Sequence, residues 1–186
     1  AFTEEETNSL KELMLCRRPN WEILFRLYHD QKLNPMSFLR SEEFLNILTE
    51  CCIKDYPYTP FADAFHTMRS MLLPVLYLMG SEVPKADVYH AICTGYGGLL
   101  ACLGGHVYKK KVLLTEHGIY TREREEEIIR AKWVQPAFKK QWISFFYMLS
   151  DIIYTRAFLV SALFTNAMHA QIQMGCDKEK CRVVEN

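Results

Sequence analysis

The sequence predicts an α/β protein: a Rossmann-like parallel sheet, forming part of a larger domain, with an additional N-terminal helical layer. Two patterns lead to this fold class. Apolar residues recur at helical spacing in the first part of the chain, whereas short apolar runs alternate with helical segments in the second part. Such alternation is typical of βαβ units, whose right-handed crossovers build a parallel sheet. We therefore assign residues 1–84 to a helical segment that packs on the sheet and residues 85–186 to a Rossmann-like βαβ half.

Capping residues and prolines divide the helical segment. Asn20 and Ser41 are residue types that favour N-caps. Thr59 followed by Pro60 is another start signal, because proline is tolerated in the first helical turn. Gly80 is a stop signal. The predicted helices are residues 7–17, residues 21–31, one that opens at Ser41, and one that runs from Pro60 to Gly80.

Four apolar runs separated by helical patterns predict the sheet. A helix between each pair of strands is what parallel pairing requires. The predicted strands are residues 87–93, 112–115, 158–164 and 181–185, and the helices between them are residues 99–107, 122–132, 137–154 and 166–174.

The charge balance excludes several classes of partner. Lys and Arg number 22 and Asp and Glu number 22, so the formal net charge is +0. A chain without a basic excess is not expected to bind nucleic acid or anionic lipid. The longest apolar stretch, residues 143–164, contains Asp151 and Arg156. Each charge costs about 2.5–3.5 kcal/mol at a bilayer centre, so no transmembrane span is predicted.

The cysteines predict neither a metal site nor a disulfide framework. Seven cysteines is an odd number, and the sequence has no CxxC pair and no Cys/His spacing of a zinc site. We expect reduced thiols in an intracellular, cytoplasmic protein, and no metal.

Polar residues follow the predicted strands where ligands bind in open parallel sheets, beyond the carboxyl ends. A glycine-rich turn at residues 94–98 follows the first strand, and Glu116, His117 and Gly118 end the second. Asn166 follows the third strand and Asn186 follows the fourth. The glycine turn either offers helix N–H groups to an anion or simply packs a helix on a strand. His90, inside the first strand, is either a core residue or a site residue.

Residues 115–125 are the richest segment in chemistry. His117 can donate to or accept from a sugar hydroxyl, Glu116 can act as a base or orient a hydroxyl, and Gly118 can hold an unusual backbone angle. Arg122 and Arg124 can pair with phosphates. The alternative for the charged run 122–127 is a solvated helix start, in which glutamates favour the helix dipole.

Several ordered segments resemble the N-terminal region of the PelF-type glycosyltransferases of glycosyltransferase family 4. The most specific is TEHGIYTRERE, at residues 115–125, and the resemblance covers roughly residues 60–186. The other segments that carry it are residues 87–90, residues 94–100, Phe145 and Phe146 with Tyr154, residues 171–175 and residues 182–186.

The resemblance implies a GT-B enzyme, with two Rossmann-like domains facing across a cleft. Such enzymes transfer a sugar from a nucleotide donor, commonly UDP-glucose, and retain the anomeric configuration. By this resemblance His117 contacts the transferred sugar or the diphosphate, and Glu116 is the other catalytic candidate. The substrate-binding candidates are Thr94, Gly95, Tyr96, Gly97, Gly98, Gly118, Tyr120, Arg122, Arg124, Asn166 and Asn186. No cofactor is expected besides the nucleotide-sugar substrate.

The sequence also departs from the family pattern. Glu185 stands where proline is common, and family members continue from the position of Asn186 into a second domain with a paired-glutamate motif. The first strand of the N-terminal domain, with its glycine-rich loop, is not recognisable upstream. We therefore expect a part of an enzyme, inactive alone. The full-length protein would act in exopolysaccharide synthesis at the cytoplasmic face of the membrane.

The expected partners are the nucleotide sugar, a glycan acceptor, the C-terminal Rossmann domain and membrane subunits of a polysaccharide export system. The alternative is a non-catalytic binding or assembly module with a glycosyltransferase-like fold. In that case the apolar helical segment at residues 7–80 would offer the interaction face.

Overall fold

The computed structural model describes residues 2–185 and divides them into two compact units. The first contains the described residues up to Ser81 together with Lys132–Ser144. The second contains Glu82–Ala131 and the described residues from Phe145 onward.

The first unit is helical, and local capping sets its helix starts. Asn20 and Ser41 cap helices as predicted, through side-chain oxygens that accept backbone N–H groups. Thr3 and Glu6 form a reciprocal capping box, so the first helix begins before the predicted residue 7. The helices are α1 (Glu4–Met14), α2 (Trp21–Phe25) with a π-helical turn at Arg26–Asp30, α3 (Pro35–Leu39), α4 (Glu42–Asp55), α5 (Phe61–Met79) and a 3-10 turn at Pro136–Phe138.

The second unit contains a four-stranded parallel sheet with the strands in sequential order, which confirms the predicted fold class. Each strand is joined to its neighbour through a helical connection. The elements are β1 (Val88–Ala91), α6 (Gly95–Tyr108), β2 (Lys111–Glu116), α7 (Tyr120–Arg130), α8 (Lys139–Arg156, of which Phe145 onward lies in this unit), β3 (Leu159–Ala162), α9 (Thr165–Gln173), a 3-10 turn at Lys178–Lys180 and β4 (Cys181–Val183).

The helices of the second unit cover one face of the sheet. Right-handed crossovers between successive neighbouring strands place every connecting helix on the same side. On that side, glycines let α6 approach the strands: a Cβ at Gly104 would lie 2.3 Å from the Tyr89 ring, and one at Gly105 would lie 2.6 Å from Val112 Cγ2. The core of this unit therefore lies between the sheet and these helices.

Within residues 2–185, no helix has both the length and the apolar character needed to cross a membrane.

Candidate functional site at the carboxyl edge of the sheet

The structure brings the glycine turn and the Glu116–Gly118 segment together. They follow the neighbouring strands β1 and β2, which pair in parallel. The Thr94 and Thr121 hydroxyl oxygens lie 3.3 Å apart. Gly95 has a φ of +70°, and a Cβ there would lie 2.7 Å from the Tyr120 ring. Both the backbone angle and the close approach of Tyr120 require glycine at this position.

The glycine turn is itself the first turn of a helix, which corrects the prediction of a helix beginning at residue 99. Helix α6 begins at Gly95, so Tyr96, Gly97 and Gly98 are helical. Glycine disfavours a helix interior by about 1 kcal/mol, and the sequence pattern therefore predicted a later start. Packing outweighs that preference, because Gly98 lies where a Cβ would be 3.1 Å from Ile153.

The N-cap of α6 leaves the first-turn N–H groups without a side-chain cap. Thr94 is buried at the N-cap position and makes no capping hydrogen bond. Its hydroxyl instead faces Thr121, which contacts the Ser150 hydroxyl, and Ser150 donates to the Phe146 carbonyl at 3.1 Å. This buried row of hydroxyls joins α6, α7 and α8. The uncapped amides at the start of α6 are suited to an anion.

Glu116 is buried rather than open to solvent, with an exposed fraction of 1%. Tyr154 Oη donates to Glu116 Oε2 at 2.8 Å, and Gln171 Nε2 donates to the same oxygen at 3.0 Å. Glu116 Oε1 is buried and has no hydrogen-bond partner among the described residues. Burial raises the pKa of Glu116, and the hydrogen bonds from Tyr154 and Gln171 oppose that rise. The carboxyl group is thus a hydrogen-bonding centre that fixes the end of β2 to α8 and α9.

His117 and Gly118 follow β2 and are exposed. A Cβ at Gly118 would lie 2.6 Å from Glu123 Oε1, so glycine here permits a close approach of Glu123. The prediction of an unusual backbone angle at Gly118 is wrong, since the glycines with positive φ among the described residues are Gly95 and Gly175. The His117 imidazole is accessible to a ligand at the carboxyl edge of the sheet.

The two arginines after this turn already have protein partners. Arg122 Nη2 donates to Gln173 Oε1 at 3.2 Å. Arg124 Nη1 lies 2.6 Å from Glu127 Oε2, and its guanidinium lies over the Tyr120 ring, 5.3 Å from the centroid. A bound phosphate would have to share these groups with their present partners.

Of the two predicted asparagines, Asn166 is among the described residues. Asn166 is exposed in the first turn of α9, which follows β3. Asn186 lies outside the described residues.

His90 is exposed on the sheet, so the interpretation of a core histidine is wrong. Its Nε2 lies 2.8 Å from Thr115 Oγ1, which in turn lies 2.7 Å from Ser161 Oγ. This row crosses β1, β2 and β3. The sequence did not reveal it, because the three residues are far apart in the chain and meet only through the strand register.

Within the described part of the chain, no group of three or more His, Cys, Asp or Glu side chains is placed to hold a metal ion. The seven cysteines are free thiols, and the sulfurs of Cys176 and Cys181 lie 3.5 Å apart.

The fold places the chain in the class of α/β proteins that have a parallel sheet and gather polar residues at its carboxyl edge. A family model described as a domain of unknown function, DUF3492, matches residues 2–179, and the chain belongs to this family. The DUF3492 domain is associated with glycosyltransferase-like proteins. No curated protein and no solved structure matches the chain.

Proposed function

We propose that this chain forms part of the N-terminal domain of a PelF-type, family 4 retaining glycosyltransferase that takes its sugar from a nucleotide donor, UDP-glucose. The observation that carries the proposal is the meeting of two segments at the carboxyl edge of the sheet. The uncapped first turn of α6 lies beside the segment that begins at Glu116, through the contacts of Gly95 with Tyr120 and of Thr94 with Thr121. The association of the DUF3492 domain with glycosyltransferase-like proteins supports the same class.

Each part of this edge has a task in sugar transfer. The reaction breaks the bond between the sugar anomeric carbon and the diphosphate, forms a bond to an acceptor hydroxyl, and releases the proton of that hydroxyl. The N–H groups and the dipole of α6 favour the negative charge that develops on the departing diphosphate. His117, exposed at the end of β2, holds the sugar or the diphosphate through a hydrogen bond.

Burial favours a positioning role for Glu116 over direct proton transfer. Its hydrogen bonds to Tyr154 and Gln171 hold the strand end from which His117 projects. We assign Glu116 the task of fixing His117, and Arg122 and Arg124 a share in binding the diphosphate. Gly118, Tyr120 and Asn166 shape the same edge.

The further partners of the chain follow from its proposed role in a glycosyltransferase. The glycan acceptor and a second Rossmann-type domain would complete the cleft. The enzyme would act in exopolysaccharide synthesis at the cytoplasmic face of the membrane, with subunits of a polysaccharide export system.

The proposal is tested by UDP release from UDP-glucose, measured on the natural full-length protein with its glycan acceptor. His117→Ala is expected to lower turnover by at least about tenfold, or about 1.4 kcal/mol of transition-state stabilisation. His66→Ala, which replaces an exposed histidine of the first unit, is the matched control and should leave turnover unchanged. Equal turnover of the two variants would remove His117 from the mechanism.

The second candidate is a non-catalytic binding or assembly module of the same fold. The pairing of Arg122 with Gln173 and of Arg124 with Glu127 favours it, because a ligand would have to compete with these protein partners for the two guanidinium groups. Calorimetric titration of this chain with UDP-glucose separates the candidates. Tight binding counts against the module, and selective binding of a protein partner supports it.

A further inference from the structure

Two buried cysteines meet inside the second unit, at the turn between α9 and β4. Their sulfur atoms, Cys176 Sγ and Cys181 Sγ, lie 3.5 Å apart, and the two residues are 3% and 4% exposed. A disulfide bond is about 2.05 Å long, so the two sulfurs need to approach each other by only about 1.5 Å. Neither thiol takes part in the sugar transfer proposed above.

Backbone hydrogen bonds hold the turn that brings the two sulfurs together. The Asp177 side chain caps the turn by accepting the Glu179 N–H at 2.9 Å, and the Asp177 carbonyl accepts the Lys180 N–H at 3.0 Å. Cys176 precedes this turn, and Cys181 follows it as the first residue of β4. The backbone therefore keeps the two cysteines close through bonds that do not involve their thiols.

Other cysteines of the chain are less well placed for a disulfide bond. Cys51 and Cys52 are adjacent, and Cα atoms about 3.8 Å apart are too close for the usual disulfide range of about 4.4–6.8 Å. The Cys16 sulfur accepts a hydrogen bond from Gln141 Nε2 at 3.3 Å. An odd number of cysteines excludes pairing of all of them within the chain, but it is compatible with one bond.

A bond between the two cysteines would fix the end of α9 to the start of β4. Gln171 lies near the end of α9 and donates to Glu116 Oε2 at 3.0 Å. Cys176 follows three residues after the last residue of the helix, Gln173. The bond would therefore hold in place the helix that carries one of the two hydrogen-bond donors to Glu116.

The two thiols are poorly placed to react once the chain has folded. Burial, more than any other cause, raises the pKa of the Cys176 thiol to about 12. The thiolate is the reactive form in disulfide exchange, and a disulfide reagent must also reach it. We therefore expect the exchange to take place while the chain folds, before this turn is packed.

We propose that Cys176 and Cys181 form a disulfide bond when the chain folds in the presence of a low-molecular-weight disulfide, and that this bond fixes the turn between α9 and β4. The proposal goes beyond sugar transfer and does not depend on it. The bond makes the stability of the second unit depend on redox conditions.

The exchange proceeds in two steps. The thiolate of one cysteine first attacks a sulfur of the reagent, which breaks the sulfur–sulfur bond of the reagent and releases one thiol. The thiolate of the other cysteine then attacks the mixed disulfide and releases the second thiol. The two cysteine sulfurs lose two electrons to the reagent, and the two thiol protons end on the released thiols.

Refolding with glutathione tests the pairing. The 186-residue chain is reduced and unfolded in urea, the reductant is removed, and the chain is refolded in a mixture of reduced and oxidised glutathione. The remaining thiols are then blocked with iodoacetamide in urea. Trypsin cleaves after Lys178 and Lys180, so the two cysteines fall in different peptides, residues 157–178 and residues 181–182. We expect mass spectrometry to find these peptides joined, and separate after reduction.

A variant and its control test which cysteines pair. Cys181→Ser should abolish the joined peptide. Cys52→Ser, which replaces a half-buried cysteine of the first unit, is the matched control and should leave the joined peptide unchanged. If Cys181→Ser does not fold, the unaltered chain compared with and without reductant still tests the bond.

The bond should also make the chain harder to unfold. For a loop of six residues, from Cys176 to Cys181, chain entropy predicts an unfolding equilibrium constant roughly 30-fold smaller for the oxidised chain than for the reduced chain. Urea denaturation with and without reductant measures this ratio. Linkage requires the same factor in the glutathione equilibrium, so the bond should form roughly 30-fold more favourably in the folded chain than in urea.

Three results would overturn the proposal. Absence of the joined peptide after refolding would leave two thiols that pack as small apolar groups. Equal pairing in folding buffer and in urea would assign the bond to closeness in sequence rather than to the fold. A joined peptide without any effect of reductant on the urea transition would show that the bond does not fix the turn.

Discussion

Replacing Tyr154 by phenylalanine removes one of the two hydrogen bonds that hold the buried Glu116 carboxyl group. The bond is 2.8 Å long, and both residues have exposed fractions of 1%. A hydrogen bond to a charged group contributes about 1.5–3 kcal/mol, and water cannot replace the hydroxyl at a site that solvent does not reach. We therefore expect Tyr154→Phe to lower the free energy of unfolding by about 1.5–3 kcal/mol.

The assay is urea denaturation followed by circular dichroism, with a matched tyrosine as control. Tyr147 donates to Glu125 Oε2 at the same distance of 2.8 Å, but this pair is only part-buried. Tyr147→Phe should therefore cost at most about 1 kcal/mol, since water can take the place of the hydroxyl. In a thermal scan of a chain of this size, a difference of about 1 kcal/mol between the two variants corresponds to a shift of roughly 2–4 °C in Tm. If the two variants lost equal stability, Glu116 would not depend on its buried partners and the positioning role would fail.

Three further outcomes follow from the structure. Gly95→Ala should lower the free energy of unfolding by about 1–3 kcal/mol in urea denaturation, because alanine at a φ of +70° is strained and its Cβ meets the Tyr120 ring. Gly97→Ala, in the same helical turn, is the control. An equal loss of stability in the control would show that neither the backbone angle nor the Tyr120 ring requires glycine at residue 95. Because the pKa of Glu116 is raised, the folded state holds the carboxyl proton of Glu116 more tightly than the unfolded chain does. The stability that this group contributes is therefore present below its ordinary pKa of 4.5, and it is lost as the pH rises through the raised pKa of the folded state. Denaturation at a series of pH values should therefore show a steeper decline for the unaltered chain than for Glu116→Gln, and parallel profiles would exclude this group as the cause. Burial raises the pKa of Cys176 to about 12, so iodoacetamide at pH 8 should label this thiol only after the chain is denatured. Mass spectrometry of digests measures the labelling. Rapid labelling of the folded chain would show that the thiol is accessible.

Local signals in the sequence were sufficient for the fold class and for several helix starts. Asn20 and Ser41 act as N-caps through side-chain oxygens that bond to amides two or three residues away, and such short-range chemistry is visible in a single stretch of sequence. The strands were also visible, since each is an apolar run between turn residues. Three strands are shorter than predicted, as where the run at residues 158–164 contains the strand Leu159–Ala162, whereas β2 at Lys111–Glu116 extends one residue beyond each end of the predicted 112–115.

Long-range packing explains what the sequence did not reveal at the candidate site. Glu116 meets Tyr154 and Gln171, which are 38 and 55 residues further along the chain, so its burial follows from tertiary structure alone. The early start of α6 at Gly95 has the same origin, because helix propensity argues against glycine and close packing requires it.

The pattern of apolar residues in the sequence also does not predict how the chain divides into its two units. Lys132–Ser144 groups with the helical unit, although it lies between segments of the sheet unit. Periodicity describes which residues face a core, but it does not say which of two cores they join.

Amide chemical shifts during titration of this chain with UDP-glucose test whether the carboxyl edge of the sheet receives a nucleotide sugar. We expect saturable shifts of the amides of Tyr96, Gly97, Gly98 and His117, with smaller changes elsewhere. Shifts confined to other elements, or no shifts as UDP-glucose is raised to millimolar concentration, would contradict it.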